Sequence, residues 1–198
     1  MENPKISIIV PTAECEGKKF LPRCIKSIQE QTYKNYEILV MENNKVAQNL
    51  NNGIKNATGE IIKVLCHDDY FNYSHALEEI AYFWKGGWLA SGCIHDSGEG
   101  RLVADHYPGW NDHIHRGYNT IGGLSVLAFE NKDPLLFNDL EWAVDVDFYK
   151  RAYIRYGLPT FLVTMNVAIG YGSHQATNKI PQEQKDKEMS LMSQTYGE

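Results

Sequence analysis

Short apolar runs, each stopped by a proline, a glycine or a cluster of polar residues, recur along the chain, and their period decides what each predicts. Residues 5–10, "KISIIV", are β-branched and end at Pro11, which reads as a buried strand with a clear stop. Residues 20–31, "FLPRCIKSIQEQ", place Phe20, Leu21, Cys24, Ile25 and Ile28 at helical spacing. Pro22 suits the first turn of that helix, where a missing N–H costs little. Second and third strands follow at 36–41 ("YEILVM") and 60–65 ("EIIKVL"), with a short helix over 49–56 between them. Residues 74–84 are helical in pattern with Ser74 placed to cap them, and 87–94 read as a fourth strand.

The pattern then weakens. Residues 97–123 are rich in glycine, polar residues and aromatics, which predicts a long functional loop. A strand over 125–129, a helix over 145–156 ended by Gly157 and a late strand over 160–167 follow, and the polar residues 179–198 read as a peripheral tail, either a helix or a frayed end. Strand–helix alternation in the first half predicts an α/β fold with a mostly parallel central sheet flanked by helices. Ligands of such sheets bind beyond the carboxyl ends of the strands. Thr12 and Glu14 follow strand one, Glu42 and Asn43 follow strand two, and Asp68 and Asp69 follow strand three, so one rim collects polar residues.

Composition narrows this picture without redirecting it. The 198 residues suit a single domain, and 43% hydrophobic with 22% charged is ordinary for a globular protein. A net charge of -6 gives no support to a nucleic-acid-binding surface. Cys15, Cys24, Cys66 and Cys93 form no metal-binding or disulfide spacing, which reads as reduced thiols. The start "MENPKISIIVPT" has no secretory pattern, and no apolar run approaches the ~20 residues that span a bilayer. A cytoplasmic protein with no transmembrane segment is the expectation.

The stretch "VLCHDDYF" at 64–71 carries the first chemical question. Adjacent carboxylates at a strand end either begin a solvated turn or hold something positive. Mg²⁺ or Mn²⁺ fits the second reading, since hard ions take carboxylate oxygens and complete their shell with phosphates.

Four ordered segments, "PKISIIVPT", "LPRCIKSIQEQTYKNYEILVMENN", "NNGIKNATGEIIKVLCHDDYF" and "IGGLSVLAF...NDLEWAVDVDFYKRAYIRYG", resemble the family-2 inverting glycosyltransferases with the GT-A fold. They cover most of residues 4–157 in the family's order. The resemblance implies transfer of a sugar from a nucleotide diphosphate, UDP by default, to the hydroxyl of a glycan, lipid-linked or other acceptor, with Mn²⁺ or Mg²⁺ at the leaving diphosphate. It implies one glycosyltransferase domain over 1–198, with a nucleotide-sugar half at 4–95 and an acceptor half at 96–178. Donor contacts would come from Pro11, Thr12, Glu14, Glu42, Asn43, Asn51 and Asp68, with a helix-start role for Asn51 equally open. The metal ligands would be Asp68, Asp69 and a late histidine, His174.

Three departures stand out. The family's D-x-D-D begins here with Cys66, the turns after strands one and two differ, and the connection between Asn44 and Asn51 is short. These favour an alternative from another class, a catalytically inactive nucleotide- or sugar-binding relative, whereas the retained Asp68, Asp69, Asp145 and His174 favour the transferase, which is the expectation. A nucleotidylyltransferase is disfavoured, because no glycine- and basic-rich loop follows strand one.

Inverting transfer needs a base for the acceptor proton. Asp145 in "LEWAVDVDFYKR" falls on the family's basic aspartate, with a helix cap as its bland role. Asp147 is spaced for an ion pair with Arg151. Glu141, Trp142 and Trp110 are candidate acceptor contacts, with packing as the alternative for the tryptophans. His67, and the H-x-H of His113 and His115, read as exposed loop residues.

Overall fold

The computed structural model describes residues 3–42, 45–97 and 102–197. In chain order these form β1 (Ile6–Thr12), α1 (Leu21–Gln29), β2 (Tyr36–Glu42), α2 (Val46–Asn56), β3 (Ile61–Val64), β4 (Tyr70–Phe71) and α3 (Ala76–Phe83). Then come β5 (Trp88–Asp96), β6 (Leu102–His106), β7 (Leu127–Glu130), α4 (Val144–Tyr156), β8 (Thr160–Gly170) and α5 (Gln182–Tyr196). One sheet runs β2-β1-β3-β7-β5-β8-β4, with β6 paired to β5. The directions of pairing set β1, β2, β3, β5 and β8 one way and β4, β6 and β7 the other. The expected α/β fold with a mostly parallel sheet is what forms.

Burial explains the continuous apolar runs. β1 lies between β2 and β3, and Ile6, Ile8, Ile9 and Val10 are wholly buried, as a strand covered on both faces requires. α2 seats on β1 through Gly53, where a Cβ would stand 2.5 Å from Ile9 Cγ2. Lys63 lies in the middle of β3 with no exposure, its ammonium donating to the carbonyl of Ser125 and, at 3.4 Å, to that of Leu127. Burial pushes its pKa down to about 7.

Three expectations fail here. Ser74 does not cap α3; the helix starts after His75 with no side-chain cap, and the Ser74 carbonyl instead accepts the Thr32 amide at 2.8 Å. The 97–123 loop contains β6, an edge strand that pairs antiparallel with β5. Its five residues gain their order from backbone pairing and carry too little alternation to be read. Of the two readings of the tail, a peripheral helix or a frayed end, the frayed end fails: residues 182–196 form α5, which buries Glu188 and Met192.

Candidate functional site

The parallel strands deliver their carboxyl ends to one edge. Thr12 pairs with Glu42 there, and Asp96 with Gly170. Thr12 is buried, its carbonyl accepts from Asn49 Nδ2 at 2.8 Å, and its hydroxyl has no hydrogen-bond partner among the described residues. Glu14 and Glu42 both hold the Lys18 ammonium, which lowers the Glu14 pKa and raises that of Lys18. The Pro11 carbonyl accepts from His67 Nδ1 at 3.1 Å, so His67 is half-buried against β1 rather than turned to solvent. Its Nε2 thereby keeps a lone pair, 3.5 Å from Cys15 Sγ. Asn43 lies outside the described residues. Asn51 goes elsewhere: its amide bonds both the carbonyl and the N–H of Phe137, at 2.9 and 2.8 Å. That pair staples α2 to the segment before α4, so Asn51 is committed to the fold.

Behind β3 the acidic pair splits. Asp69 turns inward, where Gly170 N donates to Oδ1 at 2.8 Å and the Ser125 hydroxyl to Oδ2. Burial, and then the neighbouring Asp68, push its pKa well above the usual carboxylate range. Asp68 faces His174, with Oδ2 3.6 Å from Nε2. The His174 side chain is 8% exposed, packs on Phe20 at 4.9 Å between ring centres, and leaves Nε2 without a hydrogen bond among the described residues. Gly170 permits this approach, since a Cβ there would stand 2.7 Å from the Asp68 carbonyl and 3.2 Å from His174 Nε2. Cys66, in place of the family's first aspartate, has its thiol pKa raised by burial and then by Asp69 and Asp68, so it offers no negative charge.

Sequence reasoning missed the support beneath Asp68. Arg23 donates from Nη2 to the Asp68 carbonyl and from Nη1 to Asp96 Oδ2, both at 2.8 Å. Tyr70 donates its hydroxyl to the same Asp96 oxygen at 3.1 Å, and its ring lies 4.3 Å beneath the guanidinium. Arg23 and Asp96 are 73 positions apart, and no local pattern relates them.

Asp145 occupies the first turn of α4, one residue inside the helix, so it is not the cap. Its Oδ1 accepts the Val146 amide at 2.7 Å and its Oδ2 accepts Asn119 Nδ2 at 2.8 Å. Burial raises its pKa to about 6, against the lowering effect of these bonds. It lines a cavity of about 200 Å³ together with His115, Asn119, Trp142, Met189 and Met192. A carboxylate poised near neutrality at a cavity wall is what proton abstraction from a bound hydroxyl requires. The segment 119–125 joins the two clusters, because Asn119 holds Asp145 and Ser125 holds Asp69.

The acceptor candidates separate. Trp142 lines the cavity and Glu141 is exposed beside it. Trp110 is stacked on Tyr153, with ring centres 4.1 Å apart, and packs against the core. His115 is buried, not exposed, and its Nε2 donates to the Gly197 carbonyl at 2.9 Å. Asp147 makes the expected pair with Arg151, at 2.7 Å.

Residues 7–45 match the family model described as "Glycosyl transferase family 2". No curated protein matches the chain in sequence. Among solved structures, S. aureus TarS 1-349 in complex with UDP-GlcNAc is 18% identical with a TM-score of 0.71. The match covers 96% of this chain and 65% of that one. The mannosyltransferase PcManGT from Pyrobaculum calidifontis, in complex with GDP-Man and Mn2+, is 14% identical with a TM-score of 0.66. That match covers 98% of this chain and 64% of the other. The chain thus spans just under two thirds of either structure, and the likeness is one of fold. The family-2 resemblance and the GT-A fold both stand.

Proposed function

We propose that this chain, with its family-2 glycosyltransferase sequence and GT-A fold, transfers a sugar from a nucleoside diphosphate to an acceptor hydroxyl with inversion, UDP being the favoured nucleotide. The observation that carries the reading is the convergence of Asp68 and His174, an acid and an unbonded imidazole nitrogen 3.6 Å apart beside the parallel-strand ends. Among the described residues no three His, Cys, Asp or Glu side chains gather as a metal site. Two protein ligands nevertheless suit Mn²⁺ or Mg²⁺, whose other positions are filled by diphosphate and water oxygens. When bound, such an ion neutralises the charge that develops on the leaving diphosphate.

The chain's own residues do the rest. Arg23 holds the Asp68 carbonyl and so fixes the turn that presents its carboxylate. Asp69 anchors that turn to β8 through Gly170. Asn119 orients Asp145, which takes the proton from the attacking hydroxyl at Oδ1 or Oδ2 while Trp142 walls the acceptor side. With its pKa near 6, Asp145 is mostly ionised at pH 7.

A second reading, a nucleotide- or sugar-binding relative without turnover, is favoured by Cys66, whose neutral thiol replaces a carboxylate. Calorimetry with UDP and with GDP, with and without Mn²⁺, on the wild type and Asp68→Ala separates the possibilities. Metal-dependent binding that disappears in Asp68→Ala supports the donor site. Binding without turnover of any sugar donor supports the second reading, and no nucleotide binding at all sinks the transferase and leaves a relative that binds sugar alone.

A further inference from the structure

α4 begins without a cap of its own. Its N-cap residue is Ala143, which has no side-chain acceptor, and the N–H groups of a helix start need partners. Glu188 of α5 supplies one at Ala143, and also holds the two amides just before the helix, from 45 to 47 positions away. Its Oε1 accepts the Glu141 amide, and its Oε2 accepts those of Trp142 and Ala143, all at 2.9 Å. Gln184 Nε2 holds the same carboxylate at 2.7 Å. Burial opposes its charge, yet the backbone N–H groups and Gln184 keep its pKa below the usual range.

A local serine or aspartate at the cap would serve the helix alone. The distant glutamate does more, because α5 also walls the cavity through Met189 and Met192. Tyr196 of α5 donates to Asp147 Oδ1 at 2.7 Å, and the Gly197 carbonyl fixes His115. We propose that Glu188 is a positioning residue for Asp145: by holding the 141–143 backbone that leads into α4, it sets the carboxylate in the cavity wall and ties that wall to α5. This rests on the reading of Asp145 as the base.

The ionisable groups around Asp145 are His115 on the same cavity, Tyr149 one turn along α4, and Glu188 behind the 141–143 backbone. Removing Glu188 releases the 141–143 backbone and lets water reach the cavity wall, which weakens the burial that raises the Asp145 pKa. The test is an NMR titration of the full chain labelled at aspartate carboxyl carbons, with Asp145→Asn identifying the resonance. In the wild type the Asp145 midpoint should lie near pH 6. Its midpoint should fall by about one unit in Glu188→Ala and by less in Glu188→Gln, which keeps one accepting oxygen. Glu188→Gln also decides the matter if Glu188→Ala does not fold. An unmoved midpoint in the folded variants overturns the proposal, whatever the change in Tm. Turnover of UDP-GlcNAc or GDP-mannose that survives in Asp145→Asn would instead overturn the base assignment, while the Glu188 effect would still be read.

Discussion

The edge that carries Asp68 and the cavity that carries Asp145 are assembled over different distances along the chain. The first grows out of consecutive strand–helix–strand units: Thr12 and Glu42 end β1 and β2, and Asp68 follows β3 within a few residues. The second is gathered from Asn119, Trp142, Asp145 and Glu188, which belong to three separated segments. Local pattern therefore accounts for the strand ends of the proposed donor side, though not for Arg23, Asp96 and His174 that gather around Asp68. The proposed acceptor side depends throughout on contacts between elements that are polar or irregular in sequence.

If the two regions divide the chemistry, single substitutions should separate binding from turnover. The largest effect is expected at Asp145→Asn, with turnover falling roughly 10²- to 10⁴-fold and UDP affinity unchanged by calorimetry. In the wild type the rate should rise with pH through about 6, because Asp145 acts only when ionised. A pH profile flat across that range would remove Asp145 from the chemistry. His174→Ala should have the opposite signature, raising the Mn²⁺ concentration needed for UDP binding about tenfold or more. Unchanged metal dependence would leave the His174–Asp68 approach as packing alone.

A smaller effect tests whether the acceptor side is a distinct structural unit. Asp147 is 2% exposed and accepts from Arg151, Asn138 and Tyr196. Asp147→Asn leaves Arg151 without its charge partner and should cost roughly 2–3 kcal/mol, less than for a fully buried pair because Arg151 still reaches solvent. Hydrogen exchange should quicken in α4 and α5 before it does in β1 to β3. Uniform quickening would show that the two regions unfold as one.

Much of the fold was legible because burial writes itself into period. The run at 5–10 became β1, and the helical spacing from Leu21 to Ile28 became α1. The family pattern led to Asp68, His174 and Asp145, and the first two meet. Arg23, Asp96 and Glu188 escaped notice because each acts through a partner at least 45 positions away, which no periodicity encodes. His115 was misjudged for a related reason. Its burial comes from α5, whose few apolar positions gave no sign of packing.

The mildest prediction concerns the donor side and acid. Glu37 on β2 accepts from the Ser7 hydroxyl, from both the amide and hydroxyl of Thr58, and from the Lys5 ammonium, tying β2 to β1 and to the turn before β3. Burial would raise its pKa, but these bonds win and hold it at about 2, against 4.5 for a free glutamate. A carboxyl depressed in the folded state binds fewer protons there than in the unfolded chain between those two values. Its contribution is therefore complete above about pH 4.5 and is lost as pH falls toward 2. Urea unfolding of wild type and Glu37→Gln at pH 7, 4 and 2.5 should show a constant wild-type advantage at neutral pH that narrows at the two lower values. An advantage independent of pH would mean that Glu37 acts by shape and neutral hydrogen bonding, and that the donor side is no more acid-sensitive than the cavity around Asp145.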